Sequence, residues 1–249
     1  MILEYFRPAT LSEAVELLQR NEPITIPLGG GLTLAKRSDD IAVVDLQSIG
    51  LNYIKIIETL TVIGATTTLE EMIVFYQDNR SVVEAIKIQC SKNQRVMGTI
   101  AGLIVSENGR SPLLTVMLAL NAQIVWLPGE ICISLEDWLP KRHDWKKAAL
   151  ISEIKVDNDV QVVFESVGRS PYDQPTICCA VAKWKTGRTR ITFGGFGDNP
   201  VTAFDGDVNG DLITMIKNAL ADSSDQWASS VYRQDAGTNL AMRLLKELK

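Results

Sequence analysis

A run of three glycines, Gly29–Gly31, is the part of the sequence whose composition points most directly to chemistry. It follows Thr25–Pro27, a short apolar segment typical of a buried strand. Glycine permits positive φ and carries no Cβ, so backbone N–H groups in such a loop can approach a phosphate closely. The same kind of loop can also turn a corner without binding a ligand. The glycines alone leave both interpretations open.

A second glycine-bearing stretch, Gly98–Gly102, occurs later in the chain. Thr33 and Thr99 lie in the two stretches and offer hydroxyl donors. Between the stretches, a predicted strand ends at Gly64–Ala65 and leads into the threonine cluster Thr66–Thr68. Threonines at such a junction either cap the next helix or contact a ligand, and both possibilities stay open.

Other residue types argue against several kinds of site. The four cysteines include no CxxC pair, so neither an iron–sulfur cluster nor a zinc ribbon is predicted in this chain. The single histidine, His143, lies in a polar segment, which argues against a Ser-His-Asp triad or a histidine-ligated metal. We therefore predict no metal site and assign no catalytic residue.

Charge and hydropathy limit the expected partners. The formal net charge is −5 and no basic tract is present, so nucleic acid is not an expected partner. No apolar run reaches the roughly 20 residues that cross a bilayer. The segment Met1–Arg7 lacks the basic and apolar regions of a signal peptide. A cytoplasmic location without a membrane span is expected.

Hydrophobic periodicity predicts the elements around the glycine stretches. Residues 10–20 predict an amphipathic helix capped by Thr10 or Ser12. Thr68 and Glu71 have the spacing of a capping box at the start of another helix. The remaining predicted elements of this half are strands at 24–26, 41–46, 54–57, 60–64 and 123–127 and helices at 81–90 and 112–122.

The sequence changes character after residue 147. Short apolar or alternating runs separated by turn residues predict one antiparallel sheet made of 149–156, 160–164, 177–184 and 189–193. Two predicted helices, 211–221 and 232–248, close the chain. The sequence therefore predicts an α+β fold in three parts, with boundaries that give residues 1–57, 58–147 and 148–249.

Several motifs occur in an order that resembles one known family. They are Tyr5–Val15, the glycine run, Ile63–Glu71, Gln94–Gly102, Phe193–Gly195 and Ser230–Arg233. Over almost the whole chain this order is similar to the FAD-binding medium subunit of the molybdenum hydroxylases. That family includes the flavin subunit of carbon monoxide dehydrogenase and the flavin domain of xanthine dehydrogenase.

The resemblance implies a fold and a cofactor site. Residues 1–57 and 58–147 would form a two-part FAD-binding domain of the vanillyl-alcohol-oxidase or PCMH type. Residues 148–249 would form an α+β domain with an antiparallel sheet and terminal helices. The two glycine stretches would hold the FAD pyrophosphate, and the segment at Glu153–Ile154 would border the isoalloxazine. The residues implied to contact FAD are Leu28, Gly29, Gly30, Gly31, Leu32, Thr33, Gly64, Ala65, Gly98, Thr99, Ala101, Gly102 and Ile154.

The resemblance also implies an oxidoreductase of several subunits. Its partners would be a molybdenum-pterin large subunit and a small subunit with 2Fe-2S clusters, and a homodimer is allowed. Electrons would pass from the clusters through FAD to an external acceptor. No residue of this chain would then need to touch the organic substrate.

Some positions depart from the family pattern. Ala101 and Leu103 replace glycine and a polar residue, Leu32 stands where a polar residue is common, and Pro112 and Ser166 replace an aspartate and a lysine. These departures keep open an alternative in which a degenerate member has lost or weakened FAD binding and serves as a scaffold or interaction module. A free-standing reductase with its own substrate is a third hypothesis.

Three charged residues near the motifs have a structural or a binding interpretation. Arg95 precedes the second glycine stretch and either reaches an anion or has a structural role. Arg169 and Asp173 match a family landmark that precedes a strand. We interpret Arg169 and Asp173 as a structural ion pair.

Overall fold

The computed structural model describes residues 1–20, 22–34, 39–144, 149–170, 173–208 and 210–248. The chain divides into two compact units. Unit 1 comprises Met1–Phe75, Lys92–Ser106 and Gln123–Val156, and unit 2 comprises Tyr76–Ser91, Glu107–Ala122 and Asp157–Lys249. Both units contain helices and sheets, which confirms the predicted α+β class. The three-part division at residues 57 and 147 stays a prediction.

Unit 1 begins with a parallel sheet of three strands. Its elements are β1 (Ile2–Phe6), α1 (Leu11–Leu18), β2 (Thr25–Leu28) and β3 (Ile41–Asp45). The strand order is β1-β3-β2, and all five residues of the central strand β3 are buried. Thr10 caps α1 by accepting the N–H of Glu13 at 3.2 Å, as the sequence predicts. Strand β1 was not predicted.

A second sheet of unit 1 has five strands in the order β4-β5-β8-β6-β7. These are β4 (Ile54–Ile57), β5 (Leu60–Gly64), β6 (Gln123–Leu127), β7 (Ile131–Ser134) and β8 (Leu150–Asp157). The prediction that residues 149–156 belong to the C-terminal antiparallel sheet is wrong. Strand β8 instead pairs with β6, where Ile154 lies opposite Ile124 in the register, because its inward-facing residues complete the core of unit 1.

The helices of unit 1 surround the segments that carry the glycine motifs. Besides α1 they are α2 (Leu69–Phe75), α4 (Lys92–Met97), α5 (Ile100–Ser106) and α7 (Leu135–Trp138), whereas α3 (Arg80–Gln89) belongs to unit 2. The second glycine stretch is therefore mostly helical. Only Gly98 and Thr99 lie between α4 and α5, and neither of these helices was predicted.

Thr68 and Glu71 form the predicted capping box at the start of α2. The Thr68 N–H donates to Glu71 Oε2 at 2.8 Å, and the Glu71 N–H donates to Thr68 Oγ1 at 3.2 Å. Partial burial would raise the pKa of Glu71, but hydrogen bonds from Thr68 and Asn52 outweigh it and hold that pKa below its usual range. This confirms that Thr68 is a helix cap.

Replacing Thr68 by alanine should lower the free energy of unfolding by about 1 kcal/mol, because one N–H at the start of α2 loses its acceptor. Urea unfolding of the full chain measures this loss. Glu71→Gln, which keeps an acceptor and a donor at the same place, should cost less than Thr68→Ala. Equal stability of Thr68→Ala and the natural chain would contradict the assignment of Thr68 as the cap.

Unit 2 is built on an antiparallel sheet of four strands in the order β12-β11-β10-β9. The strands are β9 (Val160–Val167), β10 (Ile177–Trp184), β11 (Thr189–Gly194) and β12 (Val201–Gly206). The helices of this unit are α3, α6 (Pro112–Ala119), α8 (Leu212–Ala219) and α9 (Ser230–Glu247). Strand β12 was not predicted, whereas the two terminal helices were.

Helices cover both faces of this sheet. Alternate residues of β10, beginning with Ile177 and Cys179, join a core that also contains residues of α8 and α9. On the opposite face, Thr192 of β11 donates to the carbonyl of Thr115 on α6 at 2.9 Å. Every residue of α6 is buried because it packs against the sheet and α3.

Arg233 is fully buried on α9 and ties this helix to the loops around it. Its Nε donates to the carbonyl of Thr176 at 2.9 Å, and its Nη2 lies 2.9 Å from both carboxylate oxygens of Asp225. Its Nη1 donates to the carbonyls of Ser223 and Ala228. These bonds give Arg233, the last residue of the Ser230–Arg233 motif, a structural role. In the described part of the chain, no helix combines the length and hydropathy that crossing a membrane requires.

Candidate functional site

The first glycine stretch leaves β2 as a partly exposed loop with a row of unpaired donors. Among the described residues, no acceptor pairs with the backbone N–H groups of the five consecutive residues Gly29–Thr33. Gly31 has a φ of +75°, in the left-handed region that favours glycine. The Leu34 N–H donates to the Gly31 carbonyl at 3.2 Å and closes the turn. Five adjacent unpaired backbone donors on a partly exposed loop are suited to an anion.

The two glycine stretches come together within unit 1. A Cβ built on Gly30 would overlap the carbonyl oxygen of Met97, and one built on Gly29 would lie 2.8 Å from Thr99 Oγ1. A Cβ on Gly98 would lie 3.0 Å from Leu32 Cδ1. The first loop therefore rests directly on the segment between α4 and α5, and this close approach requires glycine on both sides.

The second stretch uses most of its own donors internally. The N–H groups of Gly98, Ala101 and Gly102 donate to Gln94 O, Ala65 O and Thr99 Oγ1 respectively. Within this stretch, only the N–H of Thr99 has no acceptor among the described residues. Thr99 is buried, at 7% exposure. The stretch therefore supports the first loop and adds few donors of its own.

The backbone N–H groups of Gly64 and Ala65 are hydrogen-bonded at the end of β5, so they are not available to a ligand. The Gly64 N–H donates to Tyr53 O at 2.8 Å, and the Ala65 N–H donates to Ser152 O at 3.0 Å. A Cβ on Gly64 would overlap the Leu51 carbonyl, which explains the glycine. The Ala65 carbonyl accepts the N–H of Ala101 and so fixes the start of α5.

Ile154 lies in the core of the five-stranded sheet. Its side chain is fully buried. The contact of Ile154 with FAD stays a prediction. The neighbouring Glu153 accepts a hydrogen bond from the Tyr53 hydroxyl at 2.6 Å and lies 3.5 Å from Lys155. Burial and the bond to Glu153 raise the pKa of Tyr53 well above its usual range, which keeps this phenol protonated. The Glu153–Tyr53 pair was not predicted, since the two residues are far apart in sequence.

Three of the five positions that depart from the family pattern have structural roles here. Leu103 is a core residue at 7% exposure. Pro112 is buried in the first turn of α6, where its missing N–H costs nothing. Ser166 pairs in register with Cys178 on β10. Ala101 is half-buried in α5, and Leu32 is 38% exposed in the first loop.

The predictions for Arg95 and for the pair Arg169 and Asp173 had different outcomes. Arg95 donates to Glu70 at 2.9 Å with 12% of its side chain exposed, which confirms the structural alternative for this residue. Arg169 and Asp173 form no ion pair among the described residues, so that prediction is wrong. The Arg169 guanidinium instead lies over the ring of Trp227, 5.3 Å from its centroid, and this cation–π contact takes the place of the expected ion pair.

Comparison with known proteins identifies the family. The family model described as the FAD binding domain in molybdopterin dehydrogenase matches residues 1–157. The chain belongs to this family, and FAD is the cofactor of the family's domain.

Relatives extend the similarity over the whole chain. The protein YgfM of Escherichia coli K12 is 26% identical over 246 residues, which cover 94% of this chain and 92% of that protein. The glyceraldehyde dehydrogenase medium chain of Sulfolobus acidocaldarius is 26% identical over 279 residues, which cover 98% and 97%. A chain of reconstituted CO dehydrogenase from Oligotropha carboxidovorans shares the fold, with a TM-score of 0.82, 22% identity and coverage of 98% and 96%.

The first loop fits the pyrophosphate of FAD. A pyrophosphate needs several hydrogen-bond donors and close approach to the backbone, and Gly29–Thr33 offer five unpaired N–H groups without bulky side chains at the glycines. Of the five departures, Leu32 alone lies in this loop, where it contributes its backbone N–H to the row of donors. The residues present are therefore compatible with the cofactor that the family implies.

Proposed function

We propose that this chain is the flavin-binding subunit of a multi-subunit molybdenum-containing oxidoreductase. The observation that carries the proposal is the row of unpaired N–H groups from Gly29 to Thr33 in a chain of the FAD-binding family. The partners would be a molybdenum-pterin large subunit and a small subunit with 2Fe-2S clusters. When bound, FAD would supply the electron chemistry that links such clusters to an external acceptor.

The residues of this chain would bind and orient the cofactor. Gly29–Thr33 would hold the pyrophosphate through backbone donors, and the Thr33 and Thr99 hydroxyls would add to them. Gly98 and Gly102 would keep the supporting segment close to this loop. Gly64, Ala65 and Ala101 would fix the turn and the helix beneath it. Charge-assisted hydrogen bonds of this kind contribute about 1.5–3 kcal/mol each, so a few suffice for firm binding.

No acid, base or nucleophile of this chain is assigned to substrate chemistry. The neighbouring Glu153 and Tyr53 pair with each other, and Ile154 is enclosed in the sheet. We propose that the segment at Glu153–Ile154 forms a rigid side of the cofactor site and does not itself transfer protons.

Cytoplasmic location is part of the same proposal. The named relatives include a glyceraldehyde dehydrogenase medium chain and a chain of CO dehydrogenase, which are compatible with this location. The scaffold alternative would require a first loop that cannot bind FAD, and the unpaired donors argue against that.

Metal and flavin analysis of the chain purified with its native partners tests this proposal. The tagged chain would be isolated from its own host, and flavin, molybdenum and iron would be measured per chain. The expected content is about one FAD, one molybdenum and four iron atoms, since two 2Fe-2S clusters carry four irons.

The three hypotheses give different results in this experiment. Flavin without molybdenum or iron would contradict the multi-subunit proposal and favour a free-standing reductase. Molybdenum and iron without flavin would favour the scaffold alternative. A Gly30→Ala chain purified in parallel controls for flavin that is carried over without a site.

A further inference from the structure

Unit 2 contains a surface pocket that the flavin-binding proposal does not use. Its volume is about 270 Å³. The residues that line it are Arg110, Arg169, Asp173, Gln174, Thr176 and Trp227. Two guanidinium groups, one amide and one hydroxyl in a single pocket supply many hydrogen-bond donors. Their combination is typical of a site for an anion.

Trp227 holds both arginines at the pocket. The guanidinium carbon of Arg110 lies 4.8 Å from the Trp227 ring centroid, and that of Arg169 lies 5.3 Å from it. Both distances fall within the range of a cation–π interaction, which fixes a guanidinium without using its N–H groups. The ring therefore positions the two cations through their faces and leaves the edges of the guanidinium groups for hydrogen bonds.

Hydrogen bonds hold the Arg110 guanidinium in place, but one of its nitrogens has no acceptor. Its Nε donates to Gln174 Oε1 at 3.2 Å, and its Nη2 lies 3.4 Å from the carbonyls of Gln174 and Pro175. Its Nη1 is buried and has no hydrogen-bond partner among the described residues. A buried, unpaired guanidinium nitrogen is costly in a native structure and calls for an acceptor.

The charge around the pocket favours an anion of low charge. Arg110 and Arg169 together with Asp173 leave one net positive charge on the lining residues. Arg233 and Asp225 lie near but pair with each other. Burial lowers the pKa of Arg110, the negative charge of Asp225 opposes this shift, and the positive charges of Arg233 and Arg169 add to it. A bound oxyanion would relieve the repulsion between these cations.

We propose that this pocket binds an oxyanion, a carboxylate or phosphate group, between the guanidinium groups of Arg110 and Arg169. Trp227 acts as the platform that aligns the two cations, and Thr176 and Gln174 border the same space. The ligand class is an organic acid or a phosphate ester, because both carry a compact oxyanion. All the residues that the proposal uses belong to unit 2.

Titration of the full chain with small oxyanions tests the proposal. The probes are sodium acetate and sodium phosphate, added at constant ionic strength in a phosphate-free buffer and followed by calorimetry and tryptophan fluorescence. We expect saturable binding of at least one probe with half-saturation below about 10 mM, which is accessible to a ligand of four or five heavy atoms. Saturation by acetate or by phosphate identifies which oxyanion the pocket takes.

Matched arginine variants separate a built site from general attraction of anions. Arg169→Gln removes an exposed guanidinium and should weaken binding about tenfold, since a charged hydrogen bond is lost. Arg110→Gln should weaken it at least as much. Arg80→Gln, which removes an exposed arginine on α3, should change nothing. No saturable binding of either probe, or equal weakening by Arg80→Gln and Arg169→Gln, would overturn the proposal.

Discussion

Replacing Gly30 by alanine should abolish detectable FAD binding. The new Cβ would overlap the carbonyl oxygen of Met97, so the first loop must move away from the segment that supports it. At least two charge-assisted hydrogen bonds to the cofactor would then be lost, which weakens binding by about 10² to 10⁴-fold. The measurement is the flavin retained by the purified chain after gel filtration.

Two further glycine variants control for backbone strain. Gly31 and Gly50 have φ values of +75° and +74°, and a Cβ at either position meets no close contact. Gly31→Ala and Gly50→Ala should therefore lower stability by a similar amount, about 1–2 kcal/mol. Only Gly31 lies in the donor row, so only Gly31→Ala should also weaken FAD binding. Equal flavin retention by Gly30→Ala and Gly50→Ala would contradict the assignment of the first loop.

Arg233→Met should destabilise unit 2 by about 3–5 kcal/mol. Methionine has a similar length but donates no hydrogen bond, so the carbonyls of Thr176, Ser223 and Ala228 and the carboxylate of Asp225 lose their common donor. Burial leaves water little access to replace it. The measurement is the midpoint of urea unfolding, followed by far-ultraviolet circular dichroism.

Arg243→Met provides the matched control on the same helix. Arg243 is more than half exposed and pairs only with Glu165 among the described residues. An exposed ion pair contributes little, so this variant should cost less than about 1 kcal/mol. A similar loss of stability in both variants would show that Arg233 is not the structural centre of these loops.

Local signals in the sequence predicted local structure correctly. The capping box at Thr68 and Glu71 and the cap of α1 at Thr10 depend only on residues three positions apart, and both are present. Such features need no knowledge of the rest of the chain.

Long-range pairing was not accessible in the same way. Strand β1 is apolar apart from Glu4 and has no buried residue, so it lacks the alternation of a half-buried strand. It nevertheless pairs with β3 some 39 positions later, which no local signal indicates. The alternation in β8 predicted a strand, but not which sheet it joins. Arg169 and Asp173 were interpreted as an ion pair because they match a family landmark, whereas Arg169 contacts Trp227 far along the chain.

The candidate site was predicted in part. The glycines identified the first loop, and the resemblance to a flavin family placed the second stretch beside it. The different roles of the two stretches could not be predicted, because they depend on where each N–H finds its acceptor. Gly98, Ala101 and Gly102 are satisfied within unit 1, and Met97 contributes a carbonyl that no motif indicates.

Titration of the apoprotein with FAD, followed by calorimetry, tests the central claim most directly. If the donors of Gly29–Thr33 hold the cofactor, FAD should bind saturably with one site per chain and a dissociation constant in the micromolar range or below, about −8 kcal/mol or stronger. Absence of saturable binding at high micromolar FAD, in a chain whose circular dichroism shows that it is folded, would contradict the claim.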